Sequence, residues 1–229
     1  MKRLLAISDP HGQIDLFCQL LEKISFEPEQ DLLFLLGDYV DRGENPQACV
    51  KKARQLEQMG AIVLKGNHEE MMEKALTKQK PEDIEHWAAN GGSATLRSYD
   101  LSIKALYQAA LCGQPFDLPE QLTNDLEWIQ TLNLYAQTEH YLFVHAGINP
   151  DRPLDDQDEQ DLLWIREPFV NGYKGSRTVV FGHTPTLNLH SSYDVYFGNN
   201  AIIGIDGGAV FGGQLNALEL PSKMTWSVQ

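Results

Sequence analysis

The chain has 229 residues, room for a sizeable core, and its 32 acidic and 18 basic residues give a formal net charge of −14. That balance, with no basic stripe, argues against nucleic-acid and anionic-membrane partners. No apolar run is long enough to span a bilayer, and the one after Lys2-Arg3 is cut short at Asp9, too early for a signal sequence. Cys18, Cys49 and Cys112 are odd in number and lack metal-type spacing. They read as free thiols of a reducing compartment, and the chain as a cytoplasmic protein.

The elements follow in order. Leu4-Leu5-Ala6-Ile7 reads as a first strand whose exit loop is Ser8-Asp9-Pro10-His11-Gly12. Ile14, Phe17, Leu20, Leu21 and Ile24 then recur at helical spacing. Leu32-Leu33-Phe34-Leu35-Leu36 is a short apolar run that reads as a buried strand. It runs into Gly37-Asp38-Tyr39-Val40-Asp41-Arg42-Gly43, a loop bracketed by glycines that delivers three charges within five residues. Asn45 is a plausible N-cap, Pro46 suits the first helical position, and Gly60 ends that helix. Ala61-Ile62-Val63-Leu64 is a third strand, ending at Lys65-Gly66-Asn67-His68-Glu69.

Residues 69–135 read mainly as helix, with a break at Asn90-Gly91-Gly92 and a loop from Gly113 to Pro119. The final third reads as β-rich. Tyr141-Leu142-Phe143-Val144 ends at His145-Ala146-Gly147, and Thr178-Val179-Val180-Phe181 ends at Gly182-His183-Thr184-Pro185. Between them, Asp151 to Asp161 reads as a solvated acidic loop. Ala201–Ile205 and Leu215–Leu220 are expected to close the chain around the glycine-rich stretch Asp206–Gly213. There is no repeat, low-complexity tract or linker, so residues 1–229 are expected to form a single domain of layered α/β type.

Five predicted strands therefore end in loops that carry Asp9 and His11, Asp38, Asn67, His145 and His183. Sites gather at the carboxyl ends of parallel strands. Carboxylate, imidazole and amide oxygen suit Mn, Fe, Zn, Ni or Co. The set is too large for one four-coordinate ion and fits two with a shared carboxylate. Two ions about 3.5–4 Å apart can hold a bridging hydroxide and clamp a phosphoryl oxygen, an arrangement for in-line attack on phosphorus. His68, next to Asn67, can serve as the acid for the leaving oxygen, held by Asp41. Arg42 and Arg166 can grip the remaining phosphate oxygens.

These motifs, in this order, resemble the signature of the PPP-type serine/threonine phosphatases of bacteria and bacteriophages, within the calcineurin-like metallophosphoesterases. The resemblance covers residues 4 to about 213. It implies an α/β fold, with two central mixed β-sheets flanked by helices in an α/β/β/α sandwich. It also implies that Asp9, His11 and Asp38 hold one divalent ion and that Asp38, Asn67, His145 and His183 hold the other, manganese being the expected metal. His68 and Asp41 become the acid pair, and Arg42 and Arg166 the phosphate contacts. The implied substrate is a phosphoprotein or a phosphorylated small molecule, and the reaction is hydrolysis of phosphomonoesters, phosphoserine and phosphothreonine first among them.

The rival activity is hydrolysis of dinucleoside polyphosphates such as diadenosine tetraphosphate. Symmetrical hydrolases of that kind typically have Ala where Asp41 stands and Asp where Glu69 stands. A non-catalytic scaffold with the same fold is a third reading, disfavoured because every expected ligand is present. Two departures from the family pattern are Ser8 in place of Gly and Lys65 where many relatives have Arg, the second bearing on phosphate affinity. Blander readings stand beside the sharp ones: Arg166 in a surface pair with Glu167 or Asp161, Asp206 as a turn-former, and Trp87 with Asn90-Gly91-Gly92 as a plain helix stop. His86, His140 and His190 have no motif support.

Overall fold

Apolar side chains alternate between two faces along the central strands, and that alternation builds the layers. The computed structural model describes residues 2–229. In chain order the elements begin β1 (Arg3–Ile7), α1 (Ile14–Lys23), β2 (Asp31–Leu35), α2 (Pro46–Gln58) and β3 (Ile62–Val63). A helical stretch follows: α3 (Asn67–Lys78), α4 (Pro81–Ala89), α5 (Gly92–Ser98), α6 (Ile103–Leu111) and α7 (Glu120–Gln130). Then come β4 (Tyr135–Gln137), β5 (Tyr141–Val144), α8 (Glu159–Trp164), α9 (Glu167–Gly172) and β6 (Thr178–Phe181). The last strands are β7 (Tyr196–Phe197), β8 (Ile202–Gly204), β9 (Leu215–Leu220) and β10 (Thr225–Val228).

Two five-stranded mixed sheets result, ordered β10-β9-β1-β2-β3 and β4-β5-β6-β8-β7. Strands β1, β2 and β3 are parallel in the first, and β5, β6 and β8 in the second. The layer between the sheets is apolar: Ala6, Phe34 and Leu36 from one side meet Phe143, Val180 and Ile203 from the other. Phe34 and Phe143 stack there with centroids 3.7 Å apart. The alternate residues, Leu5, Ile7, Leu33 and Leu35, face the helices outside the first sheet, while Leu142, Val144, Val179 and Phe181 do so outside the second. Both faces of each central strand are thus buried, which is why these strands read as unbroken apolar runs. With parallel strands in both sheets, the loops at their carboxyl ends converge on one edge.

The cap expected for the second helix is present. The Asn45 side chain accepts the Ala48 N–H at 3.1 Å, with Pro46 opening α2. The acidic stretch after His145 differs from the expected loop. Leu154–Asp156 is a turn of 3-10 helix, α8 begins at Glu159, and Asp161 accepts an N–H from the Asn149 side chain at 3.0 Å. The amide partner gives one of these acids an internal role that composition does not reveal. Strands β4, β7 and β10 were not expected. They are edge strands of two to four residues with half-exposed side chains, too short to produce an apolar period. No helix among the described residues is long and apolar enough to cross a membrane.

Candidate active site

The site is built from backbone turns that hold polar residues in unusual conformations. Asp9, His11, Asp38, Asp41, Arg42 and His183 all have positive φ, between 38° and 71°. For residues with a Cβ this costs on the order of 1 kcal/mol or more each, and it persists only where surrounding contacts impose it. Those contacts are visible. His11 and Gly12 donate their N–H groups to Asp38 O and Tyr39 O, tying the first loop to the second. Gly37, at φ 97°, lies so close to the next loop that a Cβ there would come within 2.5 Å of Gly66 N.

Glu69 is the centre of this arrangement, and sequence reasoning gave it no role. Its buried carboxylate accepts four backbone N–H groups: Asp38, Tyr39 and Gly66 at 2.8 Å and Val40 at 3.2 Å. It therefore fastens the loop after β2 to the start of α3. Burial pushes its pKa up to about 7 against the pull of those amides. Removing the carboxylate orphans several buried donors, each costing about 1–3 kcal/mol. Glu69→Ala is expected to lower the melting temperature by roughly 6–12 °C, at about 2–4 °C per kcal/mol for a chain of this size. Thermal unfolding that matches wild type would show that the loop is held by something else.

Asp38 stands among the imidazoles. Its carboxylate oxygens lie 3.3 Å from His11 Nε2, 3.5 Å from His145 Nε2 and 4.0 Å from His68 Nε2, and it accepts the His68 backbone N–H at 3.0 Å. Burial alone would raise its pKa. The imidazoles of His145, His68 and His11 more than offset this, and the carboxyl is held well below its usual range. Two groups of potential ligands share Asp38: His11, Asp38 and His68, and Asp38, His145 and His183.

The donor chemistry around Asp38 fits a cation. His11 Nδ1 and His145 Nδ1 lie 2.8 and 2.7 Å from the carbonyls of Val40 and Leu36. A carbonyl only accepts, so each Nδ1 carries a proton, and in the neutral ring Nε2 presents a lone pair. Burial lowers the pKa of His145, favouring that neutral form. Its Nε2 then meets Asn67 Oδ1 at 2.8 Å, acceptor against acceptor. His183 Nδ1 reaches the same oxygen at 2.9 Å, while His183 Nε2 is buried without a partner. Asp9, buried and close to the charges of Asp206 and Asp38, has its pKa pushed well up. A positive ion resolves each of these conflicts.

The other candidate residues take distinct places. Asp9 belongs to neither three-residue group; its carboxylate accepts the His183 backbone N–H at 3.1 and 3.2 Å and the Ser8 hydroxyl. Asp41, fully buried, lies 2.6 Å from His68 Nδ1. It also accepts the Trp87 indole N–H at 2.9 Å and the Thr95 hydroxyl at 2.5 Å. Trp87 is therefore more than the neighbour of a helix stop: its N–H fixes the carboxylate that orients His68. Asn90-Gly91-Gly92 does end α4, and Gly91 O also receives the Arg42 N–H at 3.2 Å. Arg42 Nη1 approaches His11 Nε2 to 2.6 Å.

Arg166 turns inward to His183 O and Thr184 Oγ1, at 3.4 and 3.3 Å, instead of pairing with Glu167 or Asp161. Lys65 is buried and pairs with Glu73 at 2.9 Å, bracing α3. Asp206 accepts the Gly208 N–H at 2.8 Å, the turn-forming role. His86, His140 and His190 lie outside the cluster.

The sequence profile of the calcineurin-like phosphoesterases matches residues 2–213. The chain belongs to that family. Among calcineurin-like phosphoesterases, the chain is 30% identical over 223 residues to serine/threonine-protein phosphatase 1 of Salmonella typhimurium, covering 93% of this chain and 90% of that one. It is also 30% identical over 147 residues to the symmetrical bis(5'-nucleosyl)-tetraphosphatase of Glaesserella parasuis, covering 63% of this chain and 44% of that one. A solved structure provisionally described as a diadenosine tetraphosphatase superposes over 99% of this chain and 93% of its own, with a TM-score of 0.72 at 23% identity. The α/β/β/α fold is that of the family, the chain is a phosphoester hydrolase, and its His and Asp groups fit the dinuclear divalent-metal chemistry of calcineurin-like phosphoesterases.

Proposed function

We propose that this hydrolase acts on phosphomonoesters, and on phosphoserine and phosphothreonine in proteins before other substrates. The reading is carried by the Asp41–His68 pair. Asp41 accepts the His68 Nδ1 proton at 2.6 Å inside a carboxylate already bound by Trp87 and Thr95. With Nδ1–H committed to Asp41, a second proton on the ring sits on Nε2, and the imidazolium so formed can give it to a leaving alkoxide. A serine or threonine alkoxide needs that proton, having a far higher pKa than a nucleotide phosphate. The likeness to the Salmonella phosphatase over almost the whole of both chains supports the same reading.

Asp9, His11 and Asp38 would hold one divalent ion, and Asp38, Asn67, His145 and His183 a second, with manganese the metal we propose. When bound, such ions supply an activated water nucleophile and stabilise charge on the phosphoryl oxygens. The chain's own residues do the rest. Arg42 and Arg166 bind the free phosphate oxygens, Asp41 orients His68, and His68 protonates the leaving group. The whole chain serves as one domain on this reading. Its three free cysteines suit a cytoplasmic setting.

The test is phosphate release with Mn²⁺, run in parallel on a phosphoserine peptide and on diadenosine tetraphosphate. Higher kcat/KM on the peptide is expected. A preference for the dinucleotide would make the chain a nucleotide hydrolase, the second reading, which its partial likeness to symmetrical tetraphosphatases supports.

A further inference from the structure

Phe211 is the most exposed of the large apolar side chains among the described residues, at 62%. It stands at the tip of a constructed turn. Gly208 and Gly212, at φ 64° and 83°, flank the short 3-10 segment Ala209–Phe211. The turn is closed by the Asp206 carboxylate on Gly208 N–H, by Phe211 N–H on Gly208 O at 2.9 Å, and by Gln214 N–H on Gly207 O at 2.9 Å. Such rigid support for an exposed ring calls for a contact that uses the ring. One exists: the Arg42 guanidinium carbon lies 5.0 Å from the ring centroid.

Arg42 has few other restraints. Its side chain is half-buried and, among the described residues, forms no ion pair with a carboxylate. Among the described residues, the one hydrogen-bonding contact of its side chain is Nη1 against His11 Nε2. A guanidinium left with its charge unmatched beside the ligand cluster is free to bind an oxyanion, but a long side chain held at one edge samples many orientations. An aromatic face stacked on it leaves the N–H edges free while restricting rotation.

We infer that Phe211 is a positioning residue: its ring, presented by the Asp206–Gln214 turn, fixes the Arg42 guanidinium with its N–H edge toward the substrate phosphate. The inference rests on the reading of Arg42 as a phosphate contact. It gives Asp206 a purpose beyond its own turn, since that carboxylate closes the loop that carries the ring. A hydroxyl added at the ring's outer end leaves the stacking face unchanged, whereas an aliphatic side chain keeps bulk and loses the π-face.

The experiment uses the full-length, manganese-loaded protein with p-nitrophenyl phosphate, and inorganic phosphate as a binding probe in calorimetry. Phe211→Ala and Phe211→Leu are each expected to lower kcat/KM and weaken phosphate binding by about two- to five-fold, the range of an exposed cation–π contact. Phe211→Tyr is expected to restore both. In an Arg42→Ala background, Phe211→Ala should have no further effect. A loss that persists in that background, or no loss in the single Phe211 variants while Arg42→Ala is impaired, overturns the positioning role and leaves Arg42 as a phosphate contact. If Arg42→Ala itself loses nothing, the phosphate-contact reading fails and the inference fails with it.

Discussion

Asp38→Asn is expected to lower kcat by about 10³-fold or more, since a bound metal supplies several kcal/mol of transition-state stabilisation and each 1.36 kcal/mol is tenfold in rate. The substitution keeps the volume and removes the charge. Asp38 is the member common to both groups of potential ligands, with oxygens 3.3 and 3.5 Å from the Nε2 atoms of His11 and His145. The neighbouring carboxylates are engaged elsewhere. Asp9 is turned to the His183 backbone and the Ser8 hydroxyl, and Asp206 to Gly208. The fold should tolerate the change, because the Gly37–Val40 loop is held chiefly through backbone groups on Glu69. Kinetics with excess Mn²⁺, beside circular dichroism to confirm folding, check the expectation. Near-wild-type rates in the variant would refute a shared carboxylate.

His68→Asn is expected to separate substrates by their leaving groups. On a phosphoserine peptide the loss should be about 10²–10⁴-fold, the usual contribution of a positioned acid. On p-nitrophenyl phosphate it should be much smaller, because the nitrophenolate departs without a proton. The geometry behind this is specific. Asp41 is saturated by Trp87, Thr95 and His68, so it cannot turn away, and its oxygen lies 2.6 Å from the imidazole. Burial pulls the His68 pKa down, while the charges of Asp38 and Asp41 and the Asp41 hydrogen bond push against it. Loss of Asp41 should therefore leave His68 harder to protonate. Equal losses on both substrates would place His68 in binding or support, without a role in proton transfer.

The parts of the fold written in unbroken apolar runs were legible from the sequence. Leu4–Ile7, Leu32–Leu36, Tyr141–Val144 and Thr178–Phe181 are central parallel strands buried on both faces, and their ends carry the polar residues that meet at the site. Strands β4, β7 and β10 left no such trace, because edge strands bury little and are short.

At the site, residues with free polar groups stood out, and those whose work is internal did not. Glu69 read only as the end of a strand-exit loop and a position that differs in the symmetrical hydrolases, yet it holds four backbone amides. Trp87 read as part of a plain helix stop, yet it is buried and its indole N–H fixes Asp41. The signal for Glu69 was its position two residues after Asn67, at the third residue of a helix whose first turn lies against the loop after β2. Lys65 stands where many relatives have Arg, a departure bearing on phosphate affinity; its buried pairing with Glu73 left no mark in the sequence.

Metal stoichiometry tests the shared role of Asp38 most directly. Purified wild-type protein and Asp38→Asn, stripped with chelator and titrated with Mn²⁺, should be compared by calorimetry and by elemental analysis after desalting. The expected result is two ions per wild-type chain, with binding and turnover rising together, and fewer than two retained by the variant. One ion or none in an active wild-type protein would contradict a dinuclear centre built on Asp38.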